Sequence, residues 1–384
     1  MGVPLQYGNA ALTNFAALTT EQKTVWSRDM WKVARNNSFI FKFAGTGHNS
    51  MVQRITDLTK NEKGARAVIT LIADLEGDGV MGDFTLEGNE EAIKSYDQVI
   101  QLDQLRHANR QAGRMADQRS IVNFRKESRD VLGYWMGDRL DQLAFLTLSG
   151  EAYTQTNRGG TRPVLGGGNT GLNFSELAFA SDVSAPTAGR YMRWDATTGL
   201  EAGDTTAVTT ADTLSYKALV ELKAYAKENY IRGIKTGGGE EVYHVFVTPT
   251  GMAKLKLDPD YLANVRSAGV RGGKNELFAG TTSVMVDGLV IHEYRHVYNT
   301  SGAAAPNKWG GAGDVDGQAV LFCGAQALAF ADIGDAEWVE KGFDYENQKG
   351  ISAGKICGLL KSKFHSNYSG DVQDFGVIRM DTAI

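Results

Sequence analysis

The sequence predicts an α+β chain built around protruding structure, and three stretches carry that prediction. Residues 62–108 read as a long polar β-hairpin, residues 109–149 as a long charged helix, and residues 212–331 as a compact alternation of helices and strands. Neither the hairpin nor the charged helix could bury a core of its own. The pair suits a chain that lies across neighbouring copies of itself, which points to assembly before catalysis.

In the hairpin, residues 66–75 have β-branched strand character, and residues 96–105 alternate, with Val99 facing one way and Ile100 and Leu102 the other. Between them lies a glycine-punctuated tip, Glu76-Gly77-Asp78-Gly79-Val80-Met81-Gly82-Asp83. Each strand would span about 33 Å, and a two-stranded ribbon of that length is marginal in water without support.

The helix is expected from Asn109 or Arg110 to Leu148, stopped by Gly150. Ile121, Phe124, Val131, Leu132, Trp135, Leu143 and Leu146 recur at helical spacing without an intervening proline. Such a rod would approach about 55 Å. Arginines and lysines alternate around it with Asp117, Glu127, Asp130, Asp138 and Asp141, as on a spine that lies on a sheet.

Residues 1–61 read as an arm holding one helix, Thr20 to Ala34, with Val25, Trp26, Met30 and Val33 as its apolar stripe and Thr19 or Thr20 as its cap. Ser38 to Ala44 reads as an extended apolar segment in need of a partner surface. Residues 150–211 are rich in Gly, Thr, Ser and Ala and predict a long loop or small β-insertion. Asp212 or Thr213 then caps a helix through Ile231, followed by a strand at 241–247 and two helices opened by Thr248-Pro249 and Asp258-Pro259. Asp287-Gly288 joins strands at 282–287 and 289–298 in a hairpin. An apolar run from Ala319 to Ala331 precedes a last segment, 332–384.

The 384 residues provide for two or three domains and an ample core. Forty-five glycines against six prolines imply many turns. No apolar run is long enough to cross a membrane, and Met1 to Ala11 lacks the regions of a signal peptide. Cys323 and Cys357 sit in apolar stretches without metal-ligand spacing, as buried free thiols of a reducing compartment would. A net charge of −5 argues against a dedicated nucleic-acid binder. Residues 1–66 nevertheless carry nine Lys/Arg against four acids, a basic arm on an acidic body. Such an imbalance favours head-to-tail contacts between copies, although a solvated arm would show it too.

Three motifs invite a chemical reading. His292-Glu293-Tyr294-Arg295-His296 matches the zinc-hydrolase pattern, which works on a helix, where both imidazoles reach one ion. Its flanks, from Val284 to Tyr298, are strand sequence, and a strand would set the two histidine Cα atoms roughly 13 Å apart. Gly269 to Asn275 resembles a phosphate loop but is one residue short and has Asn275 where a Ser/Thr is needed. Glu76 to Glu87 has acids at both ends of a calcium loop, but Val80 and Met81 occupy places that need an oxygen ligand and a glycine. Six histidines are scattered, and no G-x-S-x-G element appears. The expectation is therefore no catalytic residues, no cofactor and no metal.

The order of elements resembles the major capsid proteins of tailed bacteriophages, with their Hong Kong 97 type fold, and within them the N-four-like major capsid family. The stretches that carry the resemblance are Arg28-Asp29-Met30-Trp31-Lys32, Thr248-Pro249 opening a helix, and Phe343 to Phe364 leading to Asp374-Phe375-Gly376-Val377-Ile378. It implies an N-terminal arm at 1–61, an extended loop at 62–108 and the spine helix of a peripheral domain at 109–149. An axial domain would take most of 212–331, and 332–384 would return to the peripheral domain. It further implies self-assembly into hexamers and pentamers of an icosahedral shell that encloses double-stranded DNA without reading its sequence. A separate scaffolding protein, a portal and room for a decoration protein are implied as well, with the shell assembled in the host bacterial cytoplasm and no membrane partner. The residues expected at inter-subunit contacts are Gly77, Asp78, Gly79, Met81, Gly82, Trp26, Arg28, Arg119, Arg125 and Trp135. The rival readings are an encapsulin-like nanocompartment shell of the same fold and a zinc hydrolase using His292, Glu293 and His296.

Overall fold

The computed structural model describes residues 20–56, 66–72, 77–92, 95–121, 123–163, 171–268, 283–365 and 371–384. The glycine-rich stretch at 269–275 and the arm before Thr20 lie outside the described residues, as does the hairpin strand beyond Ile72. The chain divides into two compact units.

The smaller unit combines Met1–Asn37, Leu105–Gly137 and Asp335–Lys355. Its first helix, α1 (Thr20–Asn37), buries Ser27, Met30, Trp31 and Ala34, a stripe at i, i+3, i+4 and i+7. Val25, expected on that stripe, is 56% exposed. The buried stripe is turned one position from the expected one, and the helix packs on the hairpin Glu337–Phe343/Gln348–Lys355. Trp26 stacks on Trp338 with centroids 6.0 Å apart, and the buried ammonium of Lys355 lies 4.0 Å from the Trp31 ring.

The single rod expected over 109–149 is not formed. Residues Asp103–Arg110 are a strand, which pairs with Gln348–Lys361. A short helix, α2 (Arg114–Arg119), ends at Ser120, whose ψ of 136° is extended. A second helix, α3 (Phe124–Ser149), then begins. Asn123 restarts it: its Oδ1 accepts from Lys126 N–H at 3.2 Å and its carbonyl from Glu127 N–H at 3.0 Å. The rod is thus 26 residues, about 39 Å at 1.5 Å per residue. Ile121, read as part of the apolar stripe, lies in the break and is fully exposed.

The larger unit combines Ser38–Gln104, Asp138–Gly334 and Ile356–Ile384. Its eight-stranded mixed sheet runs in the order Ser283–Val286, Leu289–Glu293, Glu241–Val247, Gly317–Cys323, Val377–Ala383, Tyr191–Asp195, Gly199–Ala202, with Ile234–Lys235 beside Glu241–Val247. Strand alternation sends Tyr243, Val245 and Val247 to one face, where α4 (Tyr216–Glu228), α5 (Pro249–Leu257) and α6 (Pro259–Ala268) supply Leu219, Leu222, Met252, Leu255 and Tyr261. Phe246 points to the other face and meets Phe145 of α3 at 5.5 Å.

Local signals decide most of these elements. Thr248 caps α5 with proline in its first turn, as expected, its Oγ1 accepting from Gly251 N–H at 3.1 Å. Asp287-Gly288 makes the expected tight turn, both residues at positive φ (46° and 75°). The cap of α4 is Ser215 rather than Asp212 or Thr213; the Asp212 carboxylate instead accepts from Ala196 N–H and Thr209 N–H. The strand expected over 289–298 stops at Glu293. Within 150–211, short 3₁₀ turns surround a two-stranded β-insertion, Tyr191–Asp195 and Gly199–Ala202, which extends the large sheet.

A second sheet in this unit pairs Ala44–Gly45, Val52–Ile55, Leu328–Asp332 and the end of the 348–361 strand. The long hairpin rests on it. Its strands, Arg66–Ile72 and Ser95–Gln101, pair from Arg66↔Gln101 to Ile72↔Ser95. The second strand is shorter than the expected 96–105, because pairing lapses at Leu102 before the next strand begins.

Candidate assembly surfaces

The hairpin has an inner and an outer face. Ala67, Ile69 and Ile100 pack with Ile55, Ala329 and Ala331, so the ribbon's base is supported by its own subunit. On the outer face Val68 and Val99 are directly paired and remain 50% and 45% exposed. The side-chain period of two produces this division, as the alternation in the sequence predicted.

Beyond the strands, residues 77–92 have no regular structure and are almost wholly exposed. Turns at Phe84 N–H to Met81 O and Asn89 N–H to Leu86 O shape the loop, and the Glu91 carboxylate accepts from Gly77 N–H at 2.7 Å. Gly79, Gly82 and Gly88 take positive φ (76°, 60° and 91°), the conformation only glycine adopts without strain. Met81, Phe84 and Leu86 are 67%, 80% and 59% exposed. Three large apolar side chains on one protruding loop are a surface that a solitary subunit has no reason to display.

The expected contact residues fall into two groups. Gly77, Asp78, Gly79, Met81 and Gly82 lie exposed on the loop, and Arg28 and Arg119 are exposed on the smaller unit. Arg28 reaches Asp335 at 3.6 Å, an ion pair largely in solvent. Trp26, Arg125 and Trp135 are engaged within the smaller unit. Trp26 lies between Trp338 and the Arg129 guanidinium, and Trp135 stacks on His107 at 4.6 Å. Arg125 binds Glu340 in a two-pronged pair, Nε to Oε1 and a terminal nitrogen to Oε2, each 2.9 Å.

Sequence reading missed Phe84, Leu86, Met115 and Tyr345 as exposed features. The first two were legible as apolar residues among glycines and acids. Tyr345 was not: it stands fully exposed on a turn where Asp344, Tyr345 and Glu346 all have positive φ (51°, 46° and 66°). Such backbone costs non-glycine residues on the order of 1 kcal/mol each.

The titratable clusters close on themselves. Asp141 accepts from Ser38 Oγ (2.5 Å), Phe39 N–H (2.7 Å), Ile40 N–H (3.1 Å) and the Tyr294 hydroxyl, which holds the aromatic segment 38–43 in the larger unit. That segment is a 3₁₀ turn over Ile40–Phe43, not the extended stretch expected, and its partner surface is its own subunit. Burial pushes the Asp141 carboxyl up against the opposing pull of these donors.

The zinc-hydrolase match comes apart. His292 lies on a strand and meets His244, Nε2 to Nδ1, at 3.0 Å, among the rings of Phe39, Phe43 and Phe246. Burial lowers both imidazoles to about 4. His296 lies past the strand end and binds Asp138 Oδ1 at 2.7 Å, and this hydrogen bond, with Arg295, lowers Asp138 to about 2. Among the described residues no group of three or more His, Cys, Asp or Glu is placed to hold a metal ion. The calcium-loop residues 77–87 lie on the exposed loop, and Cys323 and Cys357 are buried free thiols.

Comparison with known proteins identifies the family of the chain. A family model described as phage capsid protein matches residues 14–384. The chain is 59% identical over 386 residues to the major capsid protein of Pseudomonas phage KPP25, with all of both chains covered. Among solved structures, the capsid of Ralstonia phage GP4 superposes with a TM-score of 0.70 at 26% identity over 90% of each chain. The capsid asymmetric unit of cyanophage Pam1 gives 0.68 at 17% identity, over 100% of this chain and 98% of that one, a likeness of fold. The family match along nearly the whole chain and the 59% identical major capsid protein replace the hydrolase reading. The chain belongs to the phage capsid protein family, as a structural major capsid protein and not an enzyme.

Proposed function

We propose that copies of this chain assemble into hexamers and pentamers of an icosahedral shell around double-stranded DNA, with each hairpin loop laid over a neighbouring copy. The observation that carries the reading is the loop 77–92, which presents Met81, Phe84 and Leu86 to solvent on a ribbon whose base is already anchored. Burying such side chains at about 25 cal/mol per Å² is small per contact and accumulates over a closed shell. Gly77, Asp78, Gly79, Met81 and Gly82 would lie in that contact, with Arg28 and Arg119 on exposed surface of the smaller unit.

A separate scaffolding protein and a portal complete the proposed assembly, which takes place in the host bacterial cytoplasm, and the net charge of −5 limits adhesion to the enclosed DNA. No helix among the described residues is long and apolar enough to cross a membrane. Electron microscopy of the protein, purified or coexpressed with its scaffold, tests the reading. Closed shells with hexameric and pentameric units are expected, and monodisperse monomers under every assembly condition would overturn it.

A further inference from the structure

We infer that Arg162, with Arg139 beside it, forms a receptor for an oxyanion, a carboxylate or phosphate that presents two oxygens side by side. The inference goes beyond the assembly reading and does not depend on it.

The Arg162 side chain is half-buried, and its Nε and Nη2 are shielded from water and donate to no acceptor among the described residues. Buried donors of a charged group are costly without acceptors, so they mark either a ligand or a trapped water. Elsewhere the chain shows what this edge of a guanidinium takes. Arg125 offers the same two nitrogens to the two carboxylate oxygens of Glu340, each at 2.9 Å. Arg379 offers them to Asp381 at 2.8 and 3.4 Å. Two parallel N–H groups match the fork of a carboxylate or phosphate.

Charge separates an anion from a trapped water. Burial pulls the Arg162 guanidinium below its usual pKa, the charge of Arg139 adds to the effect, and no carboxylate counters them. Arg139 gives Nη1 to Gln142 Oε1 at 2.9 Å and lies 3.8 Å from Asp138, whose oxygens are committed to Gln142, Arg295 and His296. Glu176 turns to the backbone N–H of Gly171, and Arg158 to the Ser301 hydroxyl. Water would satisfy the N–H groups of Arg162 and leave the repulsion between the two arginines, whereas an anion answers both.

The site is also fixed in advance. Residues 154–162 fold back tightly, with the bridge Gln155↔Thr161, Arg162 N–H on Thr154 O at 2.8 Å and Gly159 at a φ of 76°. Asn157 pins this turn, its amide donating to His296 O at 2.7 Å and Gln142 O at 3.2 Å. The Phe174 ring centroid lies 4.4 Å from the guanidinium carbon and covers one face, which leaves the in-plane edge for the ligand. A receptor held in this way loses little freedom on binding.

Thermal melting of the unassembled subunit in sodium phosphate and in sodium acetate, each against sodium chloride of equal ionic strength, tests the site. A bound anion should raise the wild-type melting temperature by about 2 °C or more at about 50 mM. Arg162→Lys keeps the charge and the ring contact but lacks the two-pronged edge, and should lose at least about half of that rise. Arg139→Gln should weaken the response through an independent substitution, and Arg158→Lys should leave it unchanged. If the anion is instead a carboxylate of a neighbouring copy, free anions will act alike on wild type and Arg162→Lys. Shells of Arg162→Lys should then melt about 3 °C or more below wild-type shells, while the unassembled subunits melt alike. Neither response would overturn the receptor and leave Arg162 to a trapped water.

Discussion

His244 and His292 meet nitrogen to nitrogen at 3.0 Å on adjacent parallel strands, enclosed by phenylalanine rings. One must donate and the other accept, so the hydrogen bond is lost once both rings are protonated, and burial opposes even the first charge. Burial holds both imidazoles near 4, and the charges of His244 and Lys42 add to the effect at His292. An unfolded histidine titrates near 6.5, so between those values the unfolded chain binds more protons and stability is lost as the pH is lowered. The unassembled subunit should lose up to about 3 kcal/mol for each of the two imidazoles between pH 6.5 and 4. Thermal melts across that range check it, and His292→Phe should flatten the dependence. An equal slope in wild type and variant would assign the acid sensitivity elsewhere.

The same pair bears on the literal zinc motif. Elemental analysis of the purified protein is expected to find no stoichiometric zinc, and His292→Ala should leave the metal content unchanged. Zinc at one per chain, lost in that variant, would restore a metal role.

Gly133 lies where α1 and α3 cross inside the smaller unit. A Cβ there would stand 2.9 Å from Val33 Cγ1 and 3.2 Å from the Met30 carbonyl. Replacing a helical glycine by alanine ordinarily gains up to about 1 kcal/mol. Here the clash with backbone should win, and Gly133→Ala is expected to destabilise by about 1–3 kcal/mol. A raised melting temperature would show that the two helices move apart freely.

Asp141 satisfies four donors in a buried site. Asp141→Ala strands two backbone N–H groups and two hydroxyls and should cost about 3–5 kcal/mol, with Asp141→Asn intermediate. Chemical denaturation reads this directly. A cost under about 1 kcal/mol would mean that water replaces the carboxylate.

Deleting Gly77 to Gly82 should leave the subunit's melting temperature unchanged, because the loop adds no buried side chain to either core. Shell formation should fail, as judged by sedimentation and electron microscopy. Phe84→Ser should act in the same direction with a smaller effect. Normal shells from the deletion would remove the loop from the interface.

The sequence by itself determined what rests on local chemistry. Strand alternation placed Ile100 inward and Val99 outward, Thr248-Pro249 opened a helix, and Asp287-Gly288 turned a hairpin, each within a few residues of backbone. The glycine-punctuated tip around Met81 pointed to exposed structure in need of a neighbour, while Phe84 and Leu86 emerged only with the loop's exposure. Tertiary structure alone drew Asp103–Arg110 into pairing with the 348–361 strand, whereas the break after Ile121 is local, with Asn123 capping a new start. It alone set His292 against His244 and His296 against Asp138, and closed Arg125 on Glu340, 215 residues away. Those partnerships join residues far apart in the chain, and no local period records them. Exposed apolar residue types on a polar ribbon are written in the sequence, because they depend on composition and local period alone. What holds the subunit together had to be seen in three dimensions.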